Sequence, residues 1–136
     1  MAQGKRSVIG IVRYDDLVLV GKKKSLEEGI SNISNGRWYI PGGGLNCRES
    51  YESALAREIM EEAGIEIEID RYLVSHTTPK NTYVRWYECT AKTCDIKAGS
   101  DLSDVLWVPK DSIINFFDKE LVSSWPRRIA RYFEQN

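Results

Sequence analysis

One amphipathic helix set among strand-forming runs limits what this chain can fold into. Residues 49–64, ESYESALAREIMEEAG, follow the glycine run PGGG and close at Gly64, a residue suited to the left-handed turn that ends a helix. At about 100° per residue, Leu55, Ala56, Ile59 and Ala63 share one sector, which is predicted to face the core. The flanks read as strands. SVIGIVRYDDLVLVGKK gives two β-branched runs around a Tyr14-Asp15-Asp16 turn, apolar enough on successive positions to be covered on both faces. RWYI is a short strand ended by Pro41, IEIEID alternates as a half-buried strand, and TYVRWYECTA and VLWVP follow as further strands. SLEEGISNISNG and IKAGSDLSD read as loops, DSIINFF as a helix opened by Pro109 and Asp111, and SSWPRRIARYFEQ as a terminal helix capped by Ser124. Leaving aside the short RWYI, the order β, β, α, β, β, β, α, α predicts an α/β fold, with helices packed on the faces of a mixed sheet.

Length allows one core, so residues 1–136 are expected to form a single domain. Nineteen basic and twenty acidic residues nearly cancel, which leaves no bulk electrostatic argument for duplex nucleic acid or membrane. The charge is segregated, however. Lys5, Arg6, Arg13, Lys22, Lys23 and Lys24 crowd the first strands, where lysine ordinarily protects sheet edges, while acids gather in the middle. Cys47, Cys89 and Cys94 have no zinc-ligand spacing, and the lone His76 adds none. With no disulfide framework, signal peptide or membrane span in view, a cytoplasmic protein is expected.

The helix carries more carboxylate than folding requires. Glu58, Glu61 and Glu62 stand at i, i+3 and i+4, where like charges repel by a few tenths of a kcal/mol per pair. They also occupy the C-terminal half, where the helix dipole disfavours anions. Most acidic helix faces are merely solvated. Here a glycine-rich backbone able to approach a ligand closely stands immediately before the helix, and a hard divalent cation held by carboxylates would offset the repulsion.

Gly43, five residues, Glu49, seven residues and then Arg57-Glu58-Ile59-Met60-Glu61-Glu62-Ala63-Gly64-Ile65 fill every fixed position of the Nudix box, G-x5-E-x7-R-E-U-x-E-E-x-G-U, over 23 residues. The chain thus resembles the Nudix family from its first hairpin to about Pro109. The resemblance implies an α/β/α sandwich around a mixed sheet, and Mg²⁺- or Mn²⁺-dependent hydrolysis of a nucleoside diphosphate linked to another group. By the same resemblance Glu58, Glu61 and Glu62 are metal ligands or the general base, Glu58 being the first choice as base. The Gly42 carbonyl completes the metal shell, Arg57 orients the carboxylates, and Glu49 assists from behind or through water. Asp101 and Asp104, just before Trp107, are auxiliary acids, although the family often has Glu there. Lys23, Gly43 and Tyr39 are weaker substrate contacts.

The box implies a reaction, while substrate choice lies outside it. Chain length matches the MutT-like nucleoside triphosphate pyrophosphohydrolases, which release a nucleoside monophosphate and pyrophosphate. ADP-ribose or nucleotide-sugar hydrolysis is the alternative, with Pro79 near the place where ADP-ribose hydrolases of this family carry a proline. A third reading is a nucleotide-binding domain without turnover, against which the complete box argues. Tyr14, Tyr39, Tyr83 and Phe116 could stack on a base, although each is more often packing, and Trp38 reads as an anchor for the loop. The expected partner is a small nucleotide, and the expected assembly a monomer or homodimer.

Overall fold

A computed structural model describes residues 4–24, 37–99 and 101–134. The polar loop expected over 25–36 lies outside the described residues. The β-branched runs form β1 (Lys5–Tyr14) and β2 (Leu17–Lys23), turning at Asp15, whose φ of 53° is a left-handed conformation that aspartate tolerates. The two strands pair only next to the turn, at Arg13↔Val18 and Tyr14↔Leu17. Beyond it they part, and residues 38–44 fill the gap. β3 (Trp38–Tyr39) pairs with β2 while β4 (Gly42–Gly44) pairs with β1. Pro41 separates these two short strands because it has no N–H to donate, and its carbonyl accepts from Gly10 N at 3.1 Å. The sequence reading missed β4, since three glycines carry no strand propensity.

The rest of the sheet closes around this split. β6 (Thr82–Ala91) runs parallel to β1, β5 (Ile67–Thr77) is antiparallel to β6, and β7 (Leu102–Pro109) is antiparallel to β2. The described residues thus form a mixed seven-stranded sheet. Period-2 alternation sends residues of β1 to opposite faces. Val8 and Val12 join Leu19 under one helix layer, and Ile11 joins Val18 and Val20 under the other. α1 (Tyr51–Ala63) covers the first face. α2 (Ile113–Phe116), α3 (Lys119–Ser124) and α4 (Arg127–Glu134) cover the second, through Ile113, Phe117, Trp125, Ile129 and Phe133. The predicted α/β/α sandwich is what forms. No helix among the described residues is long and apolar enough to cross a membrane.

α1 ends at the expected Gly64 and begins at a Ser50 cap that the sequence reading did not single out. The Ser50 hydroxyl accepts from Ser53 N at 3.1 Å, and Gly64 takes φ 70° as its amide bonds the Met60 carbonyl. Its buried face differs from the predicted one. Ala54 is buried and Ala56 exposed, because the covered arc extends toward Ala54 and ends short of Ala56. Leu55 and Ile59 are fully buried, each contributing about 1.5–3 kcal/mol through loss of apolar surface to water.

The C-terminal region corrects two further expectations. Ser124 does not cap the last helix. It ends α3, its hydroxyl bonded back to the Leu121 carbonyl, and the Pro126 carbonyl receives the first amides of α4 from Ile129 and Ala130. DSIINFF splits into a single 3-10 turn at Lys110–Ser112 and the short α2, with no side-chain cap at either start. The alternating strand IEIEID begins at Ile67 and continues to Thr77, past its periodic part, because β6 supplies a ladder along that whole length.

The segment after β6 closes the end of α1. Lys97 N and Gly99 N bond the Ala63 and Glu62 carbonyls at 3.0 and 2.9 Å, satisfying helix-end acceptors. A Cβ on Gly99 would collide with the Glu61 carbonyl oxygen. Gly99→Ala is therefore expected to lower stability by about 1–3 kcal/mol in urea denaturation, the usual range for forced overpacking. Unchanged stability would show that this segment moves aside freely.

Candidate active site

Charge placement on α1 follows from where the sheet splits. Glu62 lies about 20° from Leu55 around the helix, inside the buried arc rather than in a separate polar sector. It is 8% exposed. The sequence spacing groups all three glutamates in a sector apart from the apolar one, but Glu62 is covered because β3 and β4 reach over this part of α1 and supply polar partners. The Tyr39 hydroxyl donates to Glu62 Oε2, and Gly42 N donates to Glu62 Oε1 at 3.1 Å. Sequence placed Tyr39 among substrate contacts; its hydroxyl is engaged by Glu62, and its ring lies 5.5 Å from Lys23 Nζ.

Arg57 organises the other acids. Its Nε and Nη2 donate to the two oxygens of Glu49 at 2.8 and 2.9 Å, and Nη2 also reaches the Gly44 carbonyl at 3.0 Å. Nη1 donates to Glu58 at 3.1 Å and to Glu61 at 3.3 Å. One guanidinium thus ties β4, the loop before α1 and two helical carboxylates together, using the planar fork that lysine lacks. Asn46 N adds a bond to Glu49 Oε1 at 2.8 Å. Bonding from Arg57, and then from Asn46, lowers the Glu49 carboxyl to about 2. Burial pushes Glu58 up, against the opposing pull of Arg57. Burial dominates at Glu62 too, and with the Glu58 charge it outweighs the Tyr39 and Gly42 bonds, raising the carboxyl to about 7.

Glu58, Glu61, Glu62, Asp101 and Lys23 line one cleft with the backbone of Gly42, Gly43 and Gly44. A Cβ on Gly43 would fall against the Glu58 carboxyl, so the bare glycine backbone is what lets that acid lie there. Four carboxylates face one ammonium, an all-oxygen, anionic donor set of the kind hard divalent cations take. The residues fit such an ion by chemistry. As they stand, with Glu58 and Glu61 turned to Arg57, no metal-holding group of three or more His, Cys, Asp or Glu is found among the described residues.

The remaining sequence-predicted residues divide. Asp101 reaches the cleft. Asp104 is not in its lining and accepts instead from Val105 N at 2.8 Å. Tyr14 packs on Trp107 at 5.9 Å and Tyr83 on Tyr51 at 6.3 Å. Phe116 packs on Trp38 at 5.4 Å within the opposite layer, so Trp38 anchors its segment as expected. Pro79 stands in the β5–β6 turn, likewise outside the cleft lining. Sequence missed Gly99, whose need for glycine follows from the docking of residues 97–99 on α1, a contact across the fold with no local signal.

A three-layer sandwich presents an acidic cleft, its donors all oxygen, where glycine strand and helix meet. The NUDIX domain model matches residues 4–133, and the chain belongs to the Nudix family. A MutT-like protein of Streptomyces ambofaciens is 30% identical over 108 residues, covering 79% of this chain and 65% of that one. The nucleoside triphosphatase NudI of Escherichia coli O81 strain ED1a is 27% identical over 95 residues, 60% of this chain and 67% of that one. This chain therefore spans about two thirds of the length of these relatives. A crystal structure of a NUDIX hydrolase from Nitrosomonas europaea shares the fold with TM-score 0.79 at 21% identity, over 98% of this chain and 72% of that one.

The raised Glu62 carboxyl sets a pH dependence for the metal-free protein. A folded value near 7 against an ordinary 4.5 means the native state holds this proton more tightly than the unfolded chain. Its stabilising contribution is full below about pH 4.5 and lost as pH rises through 7, at most on the order of 3 kcal/mol. Chelator-treated Glu62→Gln is expected to gain stability relative to wild type between pH 5 and 8 in urea melts. A pH-independent difference would mean that Glu62 is not held protonated by burial.

Proposed function

We infer that this protein hydrolyses a nucleoside diphosphate linked to another group, with Mg²⁺ or Mn²⁺, and that a nucleoside triphosphate cut to monophosphate and pyrophosphate is the leading substrate. The observation that carries this reading is the cleft in which Glu58, Glu61, Glu62 and Asp101 face Lys23 beside a bare glycine backbone. Glu58, Glu61, Glu62 and the Gly42 carbonyl would hold the metal. When bound, such an ion neutralises pyrophosphate charge and lowers the pKa of the attacking water. Glu58, raised by burial, accepts that water's proton as general base while a new O–P bond forms and the bridging P–O bond breaks. Arg57 is the positioning residue, holding Glu58 and Glu61 in reach, and Glu49 fixes Arg57 in turn. Lys23 takes a phosphate oxygen, and Asp101 is the better placed of the two auxiliary acids, Asp104 being paired in β7 outside the cleft lining.

The named activity of the Escherichia coli relative, a nucleoside triphosphatase, supports the choice of triphosphate. A binder without turnover would not need a base, an orienting arginine and every oxygen donor in one cleft. Glu61 is the member to test because its side chain is 58% exposed and its one hydrogen bond among the described residues goes to Arg57, so the fold survives its loss. Glu61→Gln should lower Mg²⁺-dependent turnover by roughly two orders of magnitude or more with an unchanged melting profile. The assay uses a panel of nucleoside triphosphates and nucleotide sugars, with phosphate products separated by chromatography. Near-wild-type activity in the variant would remove Glu61 from the metal site, and release of inorganic phosphate alone would rule out the pyrophosphohydrolase reading.

A further inference from the structure

The face opposite the cleft carries a second concentration of charge, of the other sign. α4 begins Arg127-Arg128 and continues to Arg131, placing two guanidiniums in its first turn, where the helix dipole disfavours cations. All three are exposed, and none makes an ion pair among the described residues. β5 supplies a fourth. The β5–β6 register steps from Ile69↔Cys89 to Arg71↔Glu88, leaving Asp70 as an extra residue. That bulge changes the phase of the strand. Ile69 faces the α1 layer, whereas Arg71 and Leu73 turn toward α4, a re-aiming that bulges commonly achieve. The result is a cavity of about 330 Å³ lined by Arg71, Leu73, Arg127, Arg128, Arg131 and Tyr132, with no carboxylate in its lining.

The nearest acid is already engaged. Glu88 accepts from Arg71 at 3.1 Å and from the Tyr132 hydroxyl, and lies 3.8 Å from Arg13. Lys110 Nζ, a further cation outside the lining, lies 4.4 Å above the Tyr132 ring. In a chain of net charge −1, this gathering of guanidiniums in one concavity, against a helix dipole, is unfavourable by itself. A multiply charged anion would offset both terms. Guanidinium forks match phosphate oxygens two at a time, and the cavity is near the small end of ligand-pocket size.

We propose that the Arg71–Arg127–Arg128–Arg131 cavity is a second anion site that binds a compact phosphate-rich group, a diphosphate free or carried on a nucleotide, on the face of the sheet away from the carboxylate cleft. The site is independent of the catalytic reading, since binding is measured without metal or turnover.

Calorimetric titration of pyrophosphate into chelator-treated protein should give saturable binding to one site. Arg127→Gln/Arg128→Gln should weaken it by roughly tenfold or more, and Arg131→Gln should weaken it also. Lys23→Gln should leave it intact. Because the three arginines are exposed, circular dichroism should show folded variants, and the two replacements are read separately so that one unfolded variant does not decide the matter. Nucleoside diphosphate titrated in the same way distinguishes the free from the carried group. Absence of pyrophosphate binding, its loss in Lys23→Gln with retention in the arginine variants, or binding of a single-stranded oligonucleotide without pyrophosphate binding would each overturn the proposal. Unchanged metal-dependent turnover in Arg127→Gln/Arg128→Gln keeps this result separable from the cleft.

Discussion

Arg57 is the contact on which the arrangement of the cleft depends. Its guanidinium joins three structural units: the β4 backbone at Gly44, the loop acid Glu49, and the helical acids Glu58 and Glu61. Glu49 is the strong partner, bound in the two-pronged geometry that fixes a guanidinium in direction as well as position. With its inner edge so committed, Arg57 has one nitrogen left for the carboxylates one and four residues away. That keeps Glu58 and Glu61 at one place on the helix surface despite their repulsion. The side chain is 27% exposed, so its electrostatic contribution is partly screened, and its role is chiefly geometric.

Glu62 shows the opposite solution to the same conflict. It is withdrawn from water and, among the described residues, has no cationic partner in direct contact, only a tyrosine hydroxyl and a backbone amide. A buried carboxylate with two donors remains costly when ionised, which is why burial prevails over hydrogen bonding in its proton affinity. The helix end adds to the strain. Its last carbonyls are satisfied by the amides of Lys97 and Gly99, and no basic residue stands in its final turn. Among the described residues Arg57 is the one cation in contact with the acids of this helix end, through Glu58 and Glu61, as expected where local stability yields to a site.

How far sequence led depended on the range of the interaction involved. Strands with β-branched periodicity, the Asp15 turn and the Gly64 stop were legible because each depends on nearby residues. The box residues were legible as a set, and the cleft does bring Glu58, Glu61 and Glu62 together with Asp101. What escaped was tertiary. A wheel scored by apolarity counts Ala56 as core and Glu62 as surface, yet β3 and β4 cover Glu62 while Ala56 lies beyond the covered arc. Ser124 and Pro126 read equally well as the start of one helix or the join of two, and packing of Trp125 between Trp86 and Phe133 decides for two. Nothing in the order of residues reports that Tyr39 meets Glu62 across 23 positions.

The sheet that separates the layers also separates their charges. Acids gather on the α1 face and arginines around α4, so a net charge of −1 conceals a molecule polarised across its thickness. The two helix layers stand on opposite faces of the sheet, and exposed charges separated by more than the Debye length of about 8 Å at physiological ionic strength are largely screened from one another. The acidic cleft must therefore meet an anionic substrate with local means alone: Lys23, the glycine amides and whatever cation the carboxylates hold. Arginines on the far face cannot serve that task. Their bulge-directed convergence on one cavity, with Glu88 already satisfied, calls for an anion of its own.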